Sequence, residues 1–356
     1  MPAPDFRSIL SQHALTCADD PVQGQQGAGR NQGRTGRVPP AAHRHEDRIA
    51  AALAAGKAAR SPIVASWARS VQVHGLDPAR GFADQRLTEA ELARLLDEAG
   101  PVLATARPTV ERLFGVVRDL GACVIVANAQ GIPLMRYGKR ADDGDFSRAG
   151  LWTGTFWSEA AAGTNGIGTC LAEGRPVVIH RYQHFLAANI GLTCASAPIH
   201  AADGGLIGVL DVSFARESIG SGIAGLVSHA VGEAARKVEA DLFHARFPRA
   251  RMVVVPGTDR GIGALLAVDA DDLVIGATRA ARQHLGLSGD LVRDPRPVAD
   301  VLGVHAHLRP EDGERAVLAR AVARAGGNMS AAARALGVSR ATLHRKLRDR
   351  DTDSGR

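Results

Sequence analysis

The 356-residue chain has no apolar run long enough to span a bilayer, and its N-terminus lacks the compact apolar core of a secretory signal. Both absences predict a soluble, cytoplasmic protein with no membrane partner. Cysteine is scarce. Cys17, Cys123, Cys170 and Cys194 stand far apart and form no CxxC pair, which excludes a disulfide framework and a structural zinc module. Reduced thiols, several of them buried, are expected instead. A phosphate-binding P-loop is also missing: neither Gly56-Lys57 nor Gly138-Lys139 follows a glycine five residues earlier or precedes Ser or Thr.

One stretch imitates the start of such a loop. In Gly163-Thr164-Asn165-Gly166-Ile167-Gly168-Thr169-Cys170, Gly163 and Gly168 have the Walker spacing. Thr169-Cys170 then stands where Lys and Ser or Thr would have to reach phosphate and magnesium, and no buried strand precedes the loop. The stretch reads better as a tight loop entering a short helix, its glycines letting the backbone approach a sheet beside a neutral pocket.

Charge is unevenly spread. The net charge is +6 over the whole chain, but from Glu311 to Arg350 nine Lys or Arg face four Asp or Glu, a net of +5. A phosphate-bearing partner for the C-terminus follows.

Residues 1–45 include GQQGAGRNQGRTGRVPPAAHRH, poor in large apolar side chains, and read as a disordered tail. Helical spacing begins near Glu46, and Ser61-Pro62 starts a second short helix. Thr88-Glu89-Ala90-Glu91 is a capping-box pattern that opens ELARLLDEA, with Gly100-Pro101 as its stop. From Gly121 the period changes. ACVIVAN and IPLMRY form a hairpin about Asn128-Ala129-Gln130-Gly131; RPVVIH, ASAPIH and LIGVLDVSF are further strands, the last two joined by Ala202-Asp203-Gly204-Gly205. Strands with flanking helices suggest an α+β sensor-like domain.

After Gly222 a long helix carries Ile223, Val227, Ala230, Ala234, Val238 and Leu242 at intervals of three or four. That stripe suits packing on its own domain or a dimer seam. Residues 264–287 repeat a strand, Asp-rich turn, strand and helix, a small second module, after which Pro295, Pro297 and Pro310 punctuate a linker.

The most specific pattern is C-terminal. Leu318, Ala321, Val322 and Ala325 line a first helix ended by Gly326-Gly327, and an Ala-rich helix runs from about Ser330 to Leu336. Gly337 suits the left-handed turn, Ser339 caps a third helix, and Leu343 and Leu347 bury one of its faces. This is a helix-turn-helix. Its DNA-binding candidates are Ser339, Arg340, Thr342, His344, Arg345, Lys346 and Arg348. Arg340 and His344 are placed to read bases; Arg345, Lys346 and Arg348 to hold phosphates.

Residues 326–347, GGNMSAAARALGVSRATLHRKL, resemble almost throughout the Fis-type helix-turn-helix of bacterial enhancer-binding activators. SWARSVQVHGLDPAR (66–80), WSEAAAGTNGIGTCLAEGRPV (157–177), and HF with TCASAPI and GGLIGVLDVS (184–213) are similar to one branch, the regulators of acetoin catabolism. The resemblance implies a GAF sensor over roughly residues 60–245 and a short PAS-like piece after it. The implied fold is a multidomain α+β chain: tail 1–45, N-terminal helices 46–100, GAF-like antiparallel sheet with flanking helices and a long C-terminal helix 101–247, PAS-like module 252–300, linker 301–312, all-α helix-turn-helix 313–350. Such activators normally insert a large ATPase with a sigma-54-contacting loop between sensor and DNA-binding domain. Here a short linker separates them, so ATP-driven remodelling of polymerase does not carry over.

In a GAF pocket, Trp152, Phe156 and Trp157 would supply apolar walls, and Asn165, Thr169, His180, His184 and Cys194 polar handles. The resemblance suggests a small hydroxy-ketone, alcohol or aldehyde as effector. No metal site is expected, because His-x-x-x-His converges only on a helix and His180 ends a strand. No cofactor and no catalytic residue is assigned. The partners expected are double-stranded DNA, the effector and a second copy in a homodimer, with RNA polymerase a further candidate. Two rival readings are a thiol-dependent GAF reductase and an architectural DNA-binding protein that senses nothing.

Overall fold

The computed structural model describes residues 40–80, 86–215, 220–256, 263–303 and 314–348. The expected tail lies outside them up to residue 39, and the first helix, α1 (Pro40–Ala54), begins ahead of the predicted Glu46. Helix α2 (Pro62–Gln72) starts as its sequence asks: Pro62 takes the first turn and the Ser61 hydroxyl accepts from Val64 N–H at 3.4 Å. At α3 (Glu89–Val117) the capping box is reciprocal, with Glu91 N–H donating to Thr88 Oγ1 (3.3 Å) and Thr88 N–H to Glu91 Oε2 (2.8 Å).

The expected stop at Gly100-Pro101 fails, because α3 runs straight through Pro101 and Pro108. Each proline removes one helical hydrogen bond, at about 3 kcal/mol. Here both prolines, and the Asp97 and Ala104 carbonyls they deprive, are on exposed residues where water can substitute. Leu103, Ala106, Val110, Leu113 and Val117 are buried at helical spacing beyond the break point and hold the helix to the sheet. Tertiary packing overrides the local stop, and the boundary drawn at residue 100 falls inside a helix.

The sheet consists of β1 (Ala122–Asn128), β2 (Pro133–Tyr137), β3 (Val177–His180), β4 (Thr193–His200) and β5 (Leu206–Phe214) in the order β2-β1-β5-β4-β3. Every neighbouring pair is antiparallel. The β1–β2 hairpin turns on Asn128, whose Oδ1 accepts from Gln130 N–H and Ile132 N–H, both at 3.0 Å. Gly131 sits at φ +77°, where a Cβ would lie 2.7 Å from Ser158 N, so both conformation and space require glycine.

Each strand alternates between two covered faces. One packs Val124, Val126, Ala195, Ala197, Leu210, Val212 and Phe214 against α3 and the long helix α7 (Ser221–Arg246). Helices α1 and α2, the short α4 (Asp143–Arg148), α5 (Glu159–Ala162) and α6 (Gly166–Glu173), and their loops cover the other face. This is the antiparallel sheet with flanking helices expected of a GAF-like domain. Most of the predicted α7 stripe is used inside the domain: Val227 and Val238 are buried, and Ala230, Ala234 and Leu242 pack partly buried on the same core. Ile223 remains exposed, as does neighbouring Leu226.

The small module is a second antiparallel sheet, β6 (Arg251–Val254), β7 (Leu265–Val268), β8 (Leu273–Ala277) and β9 (Arg296–Pro297), in that order. Helix α8 (Arg279–Leu285), capped by Thr278, and α9 (Val298–Val301) accompany it. Pro295 and Pro297 therefore belong to the module rather than to a linker: Pro297 pairs with Leu273 on an edge strand, where a missing N–H is tolerated. Residues 304–313, most of the expected linker, lie outside the described residues.

Three helices follow among the described residues: α10 (Glu314–Arg324), α11 (Met329–Ala335) and α12 (Arg340–Arg348). The first docks on the small module through charge. Arg324 pairs bidentately with Asp300 (2.7 and 2.8 Å), and the buried Arg320 donates to Asp272 Oδ2 (2.8 Å).

Candidate functional site

The Gly163–Cys170 stretch lies on the centre of the sheet. Asn165 caps α6, its Oδ1 accepting from Gly168 N–H (2.8 Å) while its Nδ2 donates to Trp157 O (3.0 Å) and Gly163 O (2.8 Å). A Cβ on Gly166 would meet Cys194 Cβ and Ser196 Oγ at 2.6 Å and Asp211 Oδ1 at 2.7 Å; one on Gly168 would meet Trp157 O at 2.5 Å. These glycines exist so that backbone can touch sheet, as their spacing suggested, and the Asn165 amide is consumed in shaping the loop.

Beneath Gly166 runs a buried polar row. Asp211, 1% exposed, lies 2.6 Å from Ser196 Oγ through Oδ1 and 2.6 Å from Ser213 Oγ through Oδ2. Ser213 Oγ is also 3.1 Å from Cys194 Sγ, so its one proton serves one neighbour at a time. Cys194 Sγ in turn lies 3.4 Å from His184 Nε2, and His184 Nδ1 lies 2.9 Å from Arg181 O. Because a carbonyl only accepts, Nδ1 carries the ring proton and Nε2 is free to accept from the thiol.

Burial governs the charges here. Desolvation pushes Asp211 up to about 6 against two hydroxyl donors that pull it down, and it lowers His184 to about 4. The Cys123 thiol is raised to about 12 by the same cause, and Cys170 and Cys194 are raised as well. These three described cysteines are free and buried, and burial favours their thiol over their thiolate form. Cys17 lies outside the described residues.

A second network shuts the N-terminal helices over this face. Glu159, 5% exposed, accepts from Ser66 Oγ (2.5 Å) and from Arg69 Nε and Nη2 (2.8 and 2.9 Å), and Arg69 continues to Glu173 (3.0 Å). The Ser66 hydroxyl also lies 2.6 Å from Thr164 Oγ1. Through Ser66 and Arg69, α2 is tied to both α5 and α6.

The predicted pocket residues separate in space. Trp157, His184 and Cys194 are buried on the polar face. Thr169 Oγ1 accepts from Asn165 N–H at 3.2 Å and so works within the loop. Phe156 packs with the opposite, α3–α7 core, and His180 follows Val178 in alternation toward that same side. Trp152 is half-buried near β2, the Arg136 guanidinium 4.1 Å from its ring centroid. Sequence reasoning missed Asp211, Ser196 and Ser213. The available signal was a carboxylate inside the otherwise apolar strand GVLDVSF.

At the C-terminus the predicted turn has its expected chemistry. Asn328 caps α11, accepting from Ser330 and Ala331 N–H, both at 3.1 Å. Gly337 is left-handed at φ +66°, and Val338 N–H reaches Ala333 O (3.0 Å) while Gly337 N–H reaches Arg334 O (3.2 Å), a Schellman closure. The Ser339 hydroxyl caps α12 by accepting from Thr342 N–H at 3.0 Å, and the two hydroxyl oxygens lie 2.7 Å apart. Leu343 is buried with Leu318, Ala321, Ala332 and Ala333. Arg340, His344 and Arg345 share the exposed face of α12, with Thr342 and Lys346 at its margins. Nothing on that face is spent on the core.

The chain matches the family described as MimR, N-terminal domain, over residues 38–227, more than half its length. It belongs to that family. Residues 309–349 match the bacterial regulatory protein family of Fis type, which is the helix-turn-helix just described. The chain is 34% identical over 242 residues to the acetoin catabolism regulatory protein of Cupriavidus necator, covering 67% of this chain and 36% of that protein. It is 30% identical over 154 residues to the acetoin dehydrogenase operon transcriptional activator AcoR of Bacillus subtilis, covering 43% and 25%. With the propane 2-monooxygenase operon transcriptional activator MimR of Mycolicibacterium smegmatis the identity is 32% over 161 residues, covering 44% and 26%. The chain thus spans about a third or less of these relatives. Among solved structures, the E. coli DhaR(N)–DhaL complex aligns with TM-score 0.48 and 16% identity, over 64% of this chain and 77% of that one.

Proposed function

We propose that this protein is a transcriptional regulator: α12 binds specific double-stranded DNA, the MimR-type domain senses a small uncharged molecule, and no ATPase acts between them. The observation that carries the reading is the C-terminal geometry, a Schellman turn and Ser339 cap presenting Arg340, His344 and Arg345 on a helix face free of the core. Arg340 and His344 read base edges; Arg345, Lys346 and Arg348 hold phosphates, with Ser339 and Thr342 at the helix start. On the sensor side, Trp157, His184 and Cys194 stay in the site, while Asn165 and Thr169 shape its loop. The named activators of acetoin and propane operons support an effector of the hydroxy-ketone, alcohol or aldehyde class.

The regulator acts as a cytoplasmic homodimer, whose recognition helices must stand about 34 Å apart to reach two half-sites. No described helix is long and apolar enough to cross a membrane. The protonated thiols support a non-enzymatic role. The test is a fluorescence-anisotropy titration on DNA from the upstream region of its own gene, with a salt series. A specific complex is expected whose affinity falls steeply with salt, with Arg340→Ala losing about 1–3 kcal/mol on that site and Arg345→Ala weakening all sequences and flattening the salt slope by about one. Binding that is equal on any DNA would overturn the reading.

A further inference from the structure

The segment between β3 and β4 holds a buried amide with nothing to bond. Asn189 has no exposed surface, and neither its Oδ1 nor its Nδ2 has a hydrogen-bond partner. Its backbone is fully used, since Asn189 N–H donates to Leu186 O and Leu192 N–H donates to Asn189 O, both at 2.9 Å. The turn therefore closes without the side chain. Buried polar side chains are paired in the great majority of cases, so an amide orphaned at both ends calls for a partner that the protein itself does not supply.

A second orphan belongs to the helix that rests on the same segment. Helix α1 lies against Ala187–Asn189, and its His45 is 1% exposed. His45 Nε2 faces two carbonyls, His184 O at 2.9 Å and Phe185 O at 3.1 Å. Carbonyls accept only, so Nε2 carries the proton and Nδ1 is an acceptor, and Nδ1 too is buried without a partner. Burial keeps this ring neutral by lowering its pKa.

The unmet demand has a definite chemistry. His45 Nδ1 and Asn189 Oδ1 each call for a donor, and Asn189 Nδ2 calls for an acceptor. A molecule that meets both demands carries a hydroxyl beside a carbonyl, or two neighbouring hydroxyls, and has no charge, because the two orphaned groups are themselves neutral. A carboxylate offers oxygens but no proton for two of the three atoms. The backbone held by His45 is that of His184, whose ring touches Cys194, so an occupant of this layer borders the polar row on the sheet.

We infer that Asn189 and His45 are effector contacts, and that the ligand is a small neutral hydroxy-ketone or vicinal diol bound in the layer between α1 and residues 184–189. The inference rests on the sensor reading above and specifies its site.

The test uses the full chain and three probes in calorimetric titrations: 1-hydroxypropan-2-one, acetone and acetate. Hydroxypropanone is expected to bind, acetone at least about tenfold more weakly for want of a donor, and acetate not measurably. Asn189→Leu, which keeps the volume and removes both orphan atoms, is expected to weaken hydroxypropanone at least about tenfold while its melting temperature holds or rises. Asn189→Ala gives the same loss of binding if the leucine variant fails to fold. The inference is overturned if Asn189→Leu binds hydroxypropanone as the wild type does, or if the wild type binds none of the three while Asn189→Leu melts higher, in which case the amide meets only water. Parallel DNA titrations separate the two ideas. A probe-sensitive specific complex unaffected by Asn189→Leu sinks this site but keeps the regulator; probe binding through Asn189 without specific DNA binding does the reverse.

Discussion

The two faces of the sensor sheet come from the same strands and are both buried, yet on β4 and β5 they differ in chemistry. Toward α3 and α7, strands β4 and β5 present Ala195, Ala197, Leu210, Val212 and Phe214; toward α6 the intervening residues are Cys194, Ser196, Asp211 and Ser213. Burial alone cannot tell a structural face from a working one. Hydrogen-bond demand can, because each buried hydroxyl or carboxylate costs free energy unless partnered, whereas apolar area removed from water stabilises at about 25 cal/mol per Å². The α3–α7 face is apolar throughout, whereas the α6 face sets its polar row inside a second buried apolar cluster that includes Ile125, Trp157, Ile179 and Phe185.

The comparison predicts where truncation hurts most. Phe214→Ala, with a fully buried ring on the apolar face, is expected to lose about 3–5 kcal/mol in urea unfolding. A loss below about 1 kcal/mol would mean that this face contributes little to stability. On the polar face the effect depends on pH. Asp211 is raised from its ordinary 3.8 to about 6, so its contribution is fully present below 3.8 and is lost as pH rises through about 6. Asp211→Asn should match the wild type near pH 4 and exceed it by up to about 3 kcal/mol by pH 7. His184, lowered from 6.5 to about 4, runs the other way: its contribution is present above 6.5 and lost as pH falls through about 4. The wild type is therefore expected to be flatter between pH 4 and 6 than either Asp211→Asn or His184→Asn, and parallel profiles for all three would refute the assignment.

Much of the architecture is legible from local chemistry. The five sheet strands follow from short apolar runs bounded by turn residues, the β1–β2 turn from Asn128 and Gly131, and the helix-turn-helix from Gly337 and Ser339, because each of these acts within a few residues. Helix α3 escaped that logic, since its continuation past Pro101 depends on a sheet it meets only after folding. The candidate site was half legible. Glycine spacing revealed the α6 approach to the sheet, but in extended segments one residue decides the face, so Phe156 lies opposite Trp157 and His180 opposite Ile179. Asn189 and His45 gave no local signal at all. Their interest lies in the partners they lack, and only tertiary structure shows that.

A smaller effect is expected where the polar face is fully partnered. Ser66→Ala removes hydrogen bonds to Glu159 and Thr164 inside a network that keeps Arg69 on Glu159, so about 1–3 kcal/mol should be lost. Limited proteolysis offers an independent readout, because α2 is the element released: cleavage within residues 55–80 should quicken while the sheet core stays protected. Unchanged cleavage would show that Ser66 does not hold the N-terminal helices over the site.

The smallest effect should come from the outer side of the apolar face. Leu226 is 75% exposed on α7 and Ile223 is 38% exposed nearby, so within one chain neither has much packing to lose. Leu226→Ser should change unfolding free energy by no more than about 0.5 kcal/mol when measured at low micromolar concentration. The same substitution tests the homodimer, since a leucine buried in a seam between two α7 helices would make the loss grow with protein concentration. Melting temperatures across a hundredfold dilution series separate the cases. A concentration-independent, near-zero effect confines α7 to its role inside the domain, whereas a dilution-sensitive loss makes its outer edge the dimer contact through which the sensor sets the spacing of two α12 helices.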